Sequence, residues 1–365
     1  MHLLGVRGST PAPGAAFVSY GGHTSCVALA ADADAVPTLV LDAGTGIRNL
    51  GALLGPAPFR GTLLLTHLHW DHTQGMPFAG CLDREDAQVD LLLPGRGLRT
   101  AAAIVGRAMS PPSFPVRVAG LRGHWRTRVL RPSTRTFGAF TVTAAAIPHK
   151  GGRTFGYRIS ADGATIVYMP DHTLDGVAGP AALALAQGAD VLIHDASNLI
   201  GDRRAATAFG HSTVDDAIAF ARQAGVGQLI LSHHGPSRTD TELDAVAALV
   251  ETVDPATGAP AAGPGVGVAA AGGPGPGDDL VVRMAREGTV LRVSSAAVTG
   301  LDGADADAGP GPGTGTGTGA GSVAGAAPGG RTSGGTVSVV GEPAGGGRAR
   351  RPAPLPSAAA VVRPS

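Results

Sequence analysis

Cysteine is nearly absent: the 365-residue chain has two, Cys26 and Cys81. Two thiols exclude a disulfide framework, and their separation excludes a metal finger. They read as buried or free thiols in a reducing compartment, which makes the cytoplasm the expected location. Lysine occurs once, at Lys150, while arginine, alanine and glycine abound, a pattern of codon bias rather than chemistry. The 28 basic residues balance the 28 acidic ones, so no global field draws the chain to nucleic acid or an anionic membrane. No run approaches the roughly 18 apolar residues of a membrane helix. The opening "MHLLGVRGSTPAPG" lacks both the basic region and the apolar stretch of a signal peptide.

What is present suffices for a large core, since 43% of the residues are hydrophobic. Short apolar runs predict strands over 2–6, 25–31, 38–42, 61–66, 89–93, 140–147, 156–160, 165–170, 190–194 and 228–233. Helical spacing marks 213–224 and 240–253. In "HSTVDDAIAFARQAG", Ser212 and Asp215 resemble a capping box, with Gly225 as the stop. Strands alternating with helices give an α/β layer architecture. The folded domain is expected to span 1–295. Within it, 256–277 is almost only Ala, Gly, Pro and Val, which offers little side-chain area against the entropy of ordering and predicts a flexible insertion. Residues 278–293 read as a hairpin turning at Glu287-Gly288, and 296–365 as a disordered, low-complexity tail.

The chemistry is concentrated at strand ends. "HLHWDH" supplies His67, His69, Asp71 and His72; "IPHKGG" supplies His149, "VYMPDH" Asp171 and "LILSHHGP" His233. Ligands past the ends of strands converge on one rim of a layered fold while the strands stay packed. Seven such residues exceed one tetrahedral ion and suit two ions sharing a carboxylate. Imidazole and carboxylate without thiolate fit zinc, manganese or iron, with zinc the default. His67 and His69 alternate and reach one ion, while Asp71 and His72 on the following turn reach another. Two such cations lower the pKa of a bridging water and clamp a phosphoryl or carbonyl oxygen.

From "GVRGSTPAPG" through "LDAGTGIRNLG", "LTHLHWDHTQGMPF", "VYMPDH" and "GHSTVDDA" to "LILSHHGP", the chain resembles the metallo-β-lactamase fold hydrolases with their His-x-His-x-Asp-His motif. It looks closest to the ribonuclease Z-like and cyclic phosphodiesterase-like branch. The resemblance covers about the first 250 residues and implies an αββα sandwich, two mixed sheets with helices on the outer faces. It implies that His67, His69 and His149 bind a first ion, that Asp71, His72 and His233 bind a second, and that Asp171 bridges. It makes Asp71 an orienter of the attacking water. It also makes His211 of "GHST" the acid that protonates the leaving group, a task suited to an imidazole. Asp42 resembles the family's aspartate that orients a ligand histidine. His194 and Asp195 in "IHDAS" are candidates for a similar supporting place.

Some positions depart from the pattern. His23 stands where asparagine is usual and reads as tolerated rather than functional. Lys150 adjoins His149 and either meets a phosphate or points to solvent. His172 adjoins Asp171 with an open role, and His234 reads as a solvated neighbour of His233. The arginines of "GLRGHWRTRVLRPSTR", around Trp125, read as a solvated strand or loop face rather than a phosphate grip. With no basic arm in sight, the expected substrate is a small cyclic phosphate or nucleotide, or a nucleic-acid end. The resemblance admits a homodimer, although no interface is legible. Two other readings stand beside the phosphodiesterase: a hydrolase of carboxylic esters, thioesters or lactones on the same fold, and a silent metal-binding regulatory module.

Overall fold

A computed structural model describes residues 1–95, 100–174, 179–250, 280–294 and 297–301. The first sheet takes β1 His2–Gly5, β2 Cys26–Leu29, β3 Leu39–Leu41, β4 Arg60–Leu64, β5 Gln88–Pro94 and β6 His124–Leu130, in chain order. Its first two pairings are antiparallel and the next three parallel. The second sheet runs in the order β13-β12-β11-β10-β9-β8-β7. Its strands are β7 Ser133–Phe137, β8 Phe140–Ile147, β9 Thr154–Ala161, β10 Ala164–Met169, β11 Val191–Asp195, β12 Gln228–Ser232 and β13 Val281–Met284. β10, β11, β12 and β13 are mutually parallel.

The period-two pattern sorts side chains between layers. Leu41, Leu64, Leu92, Tyr157, Ile193 and Ile230 form one buried cluster drawn from both sheets, the filling between them. Their neighbours Val40, Leu63 and Leu91 turn outward onto Leu50 and Leu54 of helix α1 Leu50–Leu54 and Ala101 and Val105 of α2 Ala101–Val105. On the second sheet Leu192, Leu229 and Leu231 turn outward onto Leu185 of α3 Pro180–Ala186, Phe220 of α5 Val214–Gln223 and Leu243 of α6 Asp240–Val250. A short α4, Arg203–Phe209, precedes α5. This is the expected αββα sandwich. Each fully buried Leu, Ile or Phe contributes about 1.5–3 kcal/mol. Among the described residues no helix is long and apolar enough to cross a membrane.

Several expectations need correction. The two runs of 278–293 do not pair with each other. β13 lies beside β12 with Val282 and Met284 buried on the helix-covered face together with Leu229 and Leu243, and after Gly288 the chain crosses to β1, where Gly288 N–H donates to Leu3 O. β14 Leu291–Ser294 then pairs with β15 Ala297–Leu301, inside the stretch expected to be tail. The rest of that tail, and the insertion 256–277, lie outside the described residues. α5 is capped by Thr213 with Asp216, not Ser212 with Asp215. Ser212 is displaced because its buried hydroxyl donates to His172 O instead. Strands β6 and β7 were not expected individually. The arginine run spans β6 and β7: on β6 exposed Arg126 and Arg128 alternate with Trp125, which packs on the helix-covered face, and Arg126 pairs with Asp90 at 2.8 Å, a charged edge that discourages further strand pairing.

Candidate metal centre

The chain leaves β4, β10 and β12 at one rim, and His67, Asp171 and His233 follow within three residues of those ends. β8 ends at the same rim with His149 two residues on, and β3 with Asp42 immediately after. The sandwich thus supplies ligating groups from both sheets to one place. A tight turn over Trp70–His72 folds Asp71 and His72 back beside His67.

Donor atoms of His67, His69 and His149 lie within 4.8 Å of one another, as do those of Asp71, His72 and His233. Asp171 stands between the two groups. Its Oδ1 is 4.0 Å from His67 Nε2, 3.6 Å from His149 Nε2 and 3.3 Å from His233 Nε2, and its Oδ2 is 2.9 Å from His72 Nε2. All seven residues grouped from the sequence therefore meet.

The outer nitrogens of His67, His72 and His149 are anchored, which leaves the other nitrogen of each facing the cluster. His72 Nδ1 donates to Asp42 Oδ2 at 2.8 Å, and His149 Nδ1 donates to Gly210 O at 2.6 Å. His67 Nδ1 meets Thr66 Oγ1 at 3.1 Å, and that hydroxyl donates to Asp42. Anchoring through Nδ1–H makes Nε2 the lone-pair nitrogen, the tautomer a metal ligand requires. His67 Nε2 is buried with no hydrogen-bond partner, and His72 Nε2 and Asp171 Oδ2, though 2.9 Å apart, make no hydrogen bond, although buried polar atoms are normally satisfied. Burial pushes His67, His69 and His149 below the usual histidine range, so they stand neutral. Burial works the same way on His72, but Asp171, Asp71 and Asp42 outweigh it and push it above the usual histidine range. A divalent cation satisfies the same ring of carboxylates with more charge. The residues fit a divalent metal ion.

His211, just beyond α4, donates from Nδ1 to Asp195 Oδ2 at 2.8 Å. Burial opposes its charge, but the Asp195 carboxylate prevails and raises the imidazole to about 9. With Ser9, Leu68, His69, Trp70, Asp71 and Asp171 it lines an open cleft of about 340 Å³. Gly210 before it has φ +88°, and a Cβ there would stand 2.6 Å from Lys150 N, so the turn that presents both His211 and the carbonyl for His149 requires glycine.

Other sequence candidates fall elsewhere. His23 lies 3.9 Å from Glu287 Oε1, and its carbonyl accepts from Val6 and Arg7. His172 and His194 form a buried chain behind the site, His172 Nδ1 to His194 Nε2 at 2.9 Å and His194 Nδ1 to Asp195 O at 2.8 Å. His234 is not solvated: it is fully buried against Tyr20, donates to Ala285 O at 2.8 Å and is lowered to about 3 by that burial. Lys150 is exposed, as the solvent-facing alternative expects, and its ammonium donates to Ala208 O beside the Phe209 ring. Ser9 escaped the sequence reading. It has φ +62°, and its N–H donates to Asp71 Oδ2 at 2.6 Å. Gly8 before it touches the His233 ring, where a Cβ would stand 2.3 Å from Nδ1. The glycine in "GVRGST" was the available signal.

A family model described as a beta-lactamase superfamily domain matches residues 38–234. The chain belongs to this superfamily. A stretch of 64 residues is 44% identical to ribonuclease Z of Brevibacillus brevis, covering 18% of this chain and only 20% of that protein. Ribonuclease Z of a Bradyrhizobium species is 27% identical over 276 residues, 60% of this chain and 86% of its own length. Ribonuclease BN of Escherichia coli is 34% identical over 211 residues, 47% and 69% of the two chains. Among solved structures, the metallo-beta-lactamase fold protein YhfI from Bacillus subtilis superposes with a TM-score of 0.53 at 18% identity, covering 79% of this chain and 95% of that one. That likeness concerns the fold, and it agrees with the two mixed sheets and outer helices of this metallo-β-lactamase fold protein.

Proposed function

We propose that this metal-dependent hydrolase is a dinuclear phosphodiesterase acting on a nucleotide or nucleic-acid end, or on a small cyclic phosphate. The observation that carries the reading is the junction of two donor groups, His67/His69/His149 and Asp71/His72/His233, through the single carboxylate of Asp171. Each group would hold one ion and Asp171 would bridge them. Zinc fits the nitrogen-rich set best, with manganese and iron as alternatives. When bound, two such ions lower the pKa of a shared water and clamp a phosphoryl oxygen.

The protein's own residues supply the remainder. Asp71, fixed by Ser9 N–H, is placed to orient the attacking water. Asp195 holds His211 Nδ1, leaving Nε2 for the departing oxygen, which as an alkoxide needs a proton. The relatives named ribonuclease Z and ribonuclease BN support a phosphodiester substrate.

The test is metal quantification combined with a substrate panel of bis-p-nitrophenyl phosphate, 2′,3′- and 3′,5′-cyclic nucleotides, pre-tRNA and a thioester. Two ions per chain and phosphodiester turnover are expected; activity confined to the thioester sinks the reading. Asp42 gives a narrower check. Asp42→Asn keeps the shape but weakens the anchor of His72, and is expected to lower metal affinity roughly 10–100-fold. Dialysis against graded chelator reads the loss, and unchanged retention would show that the anchor is dispensable.

A further inference from the structure

Trp70 sits between His69 and Asp71, yet three quarters of it is exposed at 75%. Its backbone is firmly held: Trp70 O accepts from Thr73 N–H and Gln74 N–H, and Thr73 Oγ1 donates to His69 O. An indole left outside the core on a rigid turn is a surface prepared for contact rather than packing. One side of Trp70 lines the catalytic cleft. It also lines a second cavity of about 240 Å³, with Met76, Phe78, Met109 and Phe114 among the other walls. Phe78 is itself 61% exposed, and its ring meets Phe114 edge-on at 5.9 Å.

None of the residues lining this second cavity is ionisable. It therefore offers nothing to a phosphate and suits the neutral part of a substrate whose phosphate lies at the histidines. Aromatic faces and thioethers favour a flat polarisable ring. Gln74, half-buried on the same wall with one long contact of 3.5 Å to Thr24 Oγ1, retains donors and an acceptor for the edge of such a ring.

We infer that the Trp70–Phe78–Phe114 cavity is a nucleobase subsite, with Trp70 as its stacking platform, so that the preferred phosphodiesters carry a base. The inference rests on the phosphodiesterase reading above and deepens it.

Two measurements on the metal-loaded protein decide it. The first compares kcat/KM for adenosine 2′,3′-cyclic phosphate with that for glycerol 1,2-cyclic phosphate, which presents the same reacting ring without a base. The wild-type preference for the nucleotide is expected to fall about tenfold in Trp70→Ala, within the range known for base stacking, and to survive largely in Trp70→Phe. The second is indole fluorescence in a Trp125→Phe background, where Trp70 is the remaining tryptophan. Adenosine 5′-monophosphate is expected to quench it and ribose 5-phosphate to leave it unchanged. Hydrolysis with an unaltered preference in Trp70→Ala, or equal fluorescence responses to the two ligands, overturns the subsite. A preference for an alkyl or acyl ester over the nucleotide also overturns it. If neither cyclic phosphate is hydrolysed, the phosphodiesterase reading fails by itself, while the fluorescence titration still decides whether a base stacks on Trp70.

Discussion

Asp171→Asn is expected to strip the protein of bound metal and to lower phosphodiester hydrolysis by at least about 10³-fold. The carboxylate is 1% exposed and lies within 4.0 Å of nitrogen atoms from His67, His72, His149 and His233. Burial alone would raise its pKa, yet the surrounding imidazoles, His233 and His72 foremost, hold it well below the usual carboxylate range. It is the one anion shared by both donor groups. Two divalent cations side by side repel strongly in a dry site, and a shared negative charge is what makes their approach tolerable. The amide keeps the volume and removes the charge, so core packing is held constant. A loss of several kcal/mol of charge stabilisation corresponds to about three powers of ten in rate. Added zinc is expected to raise the melting temperature of the wild-type protein and not that of the variant, because only a ligand that binds the folded state stabilises it. A variant with full metal content and wild-type turnover would remove Asp171 from the centre.

Much of this centre was legible beforehand because its residue types carry unusual chemistry and fall just past strand ends. "HLHWDH" announces itself, and the run "LLLT" before it has the apolar character of a strand buried on both faces, as Leu63 and Leu64 prove to be. What stayed hidden depends on which distant groups meet. Asp195 and His211 were both noticed, but their hydrogen bond needs the return of α4 to the end of β11. Ser9 acts through a backbone N–H at positive φ, which no side-chain pattern reveals. His234 looked solvated because it neighbours a candidate ligand, yet the chain running from β13 towards β1 covers it, with Ala285 O as its acceptor. The same crossing undid the expected hairpin: local turn chemistry at Glu287-Gly288 was read correctly as a reversal point, but the apolar edge of β12 and the start of β1 were better partners than the two runs were for each other. Periodicity locates elements and their buried faces; it does not choose between partners of equal hydrophobicity.

His211→Ala is expected to separate substrates by their leaving groups. General acid catalysis contributes roughly 10²–10⁴-fold where the departing oxygen is a poor leaving group. A nucleoside 2′,3′-cyclic phosphate expels an alkoxide and should lose kcat on that scale. Bis-p-nitrophenyl phosphate expels a stabilised phenolate that needs no proton, and should lose far less. Metal content is expected to stay at the wild-type level, because each proposed ion keeps its full donor set, His67/His69/His149 or Asp71/His72/His233 with Asp171, without His211, although the His211 donor atom also approaches His149 with Asp171 and His233 with Asp195. Asp195→Asn tests the support behind the acid. Its carboxylate fixes Nδ1 of His211 at 2.8 Å and also accepts from the His172 and Ser197 backbone N–H groups. The amide weakens the hold on the imidazolium without emptying the space, so the same leaving-group split should appear in smaller measure. A purely structural role for His211 would depress both substrates alike, since a displaced loop harms every reaction in the cleft. Equal losses on the two substrates, with metal retained, would therefore leave the centre a metal hydrolase but take from His211 the part of proton donor.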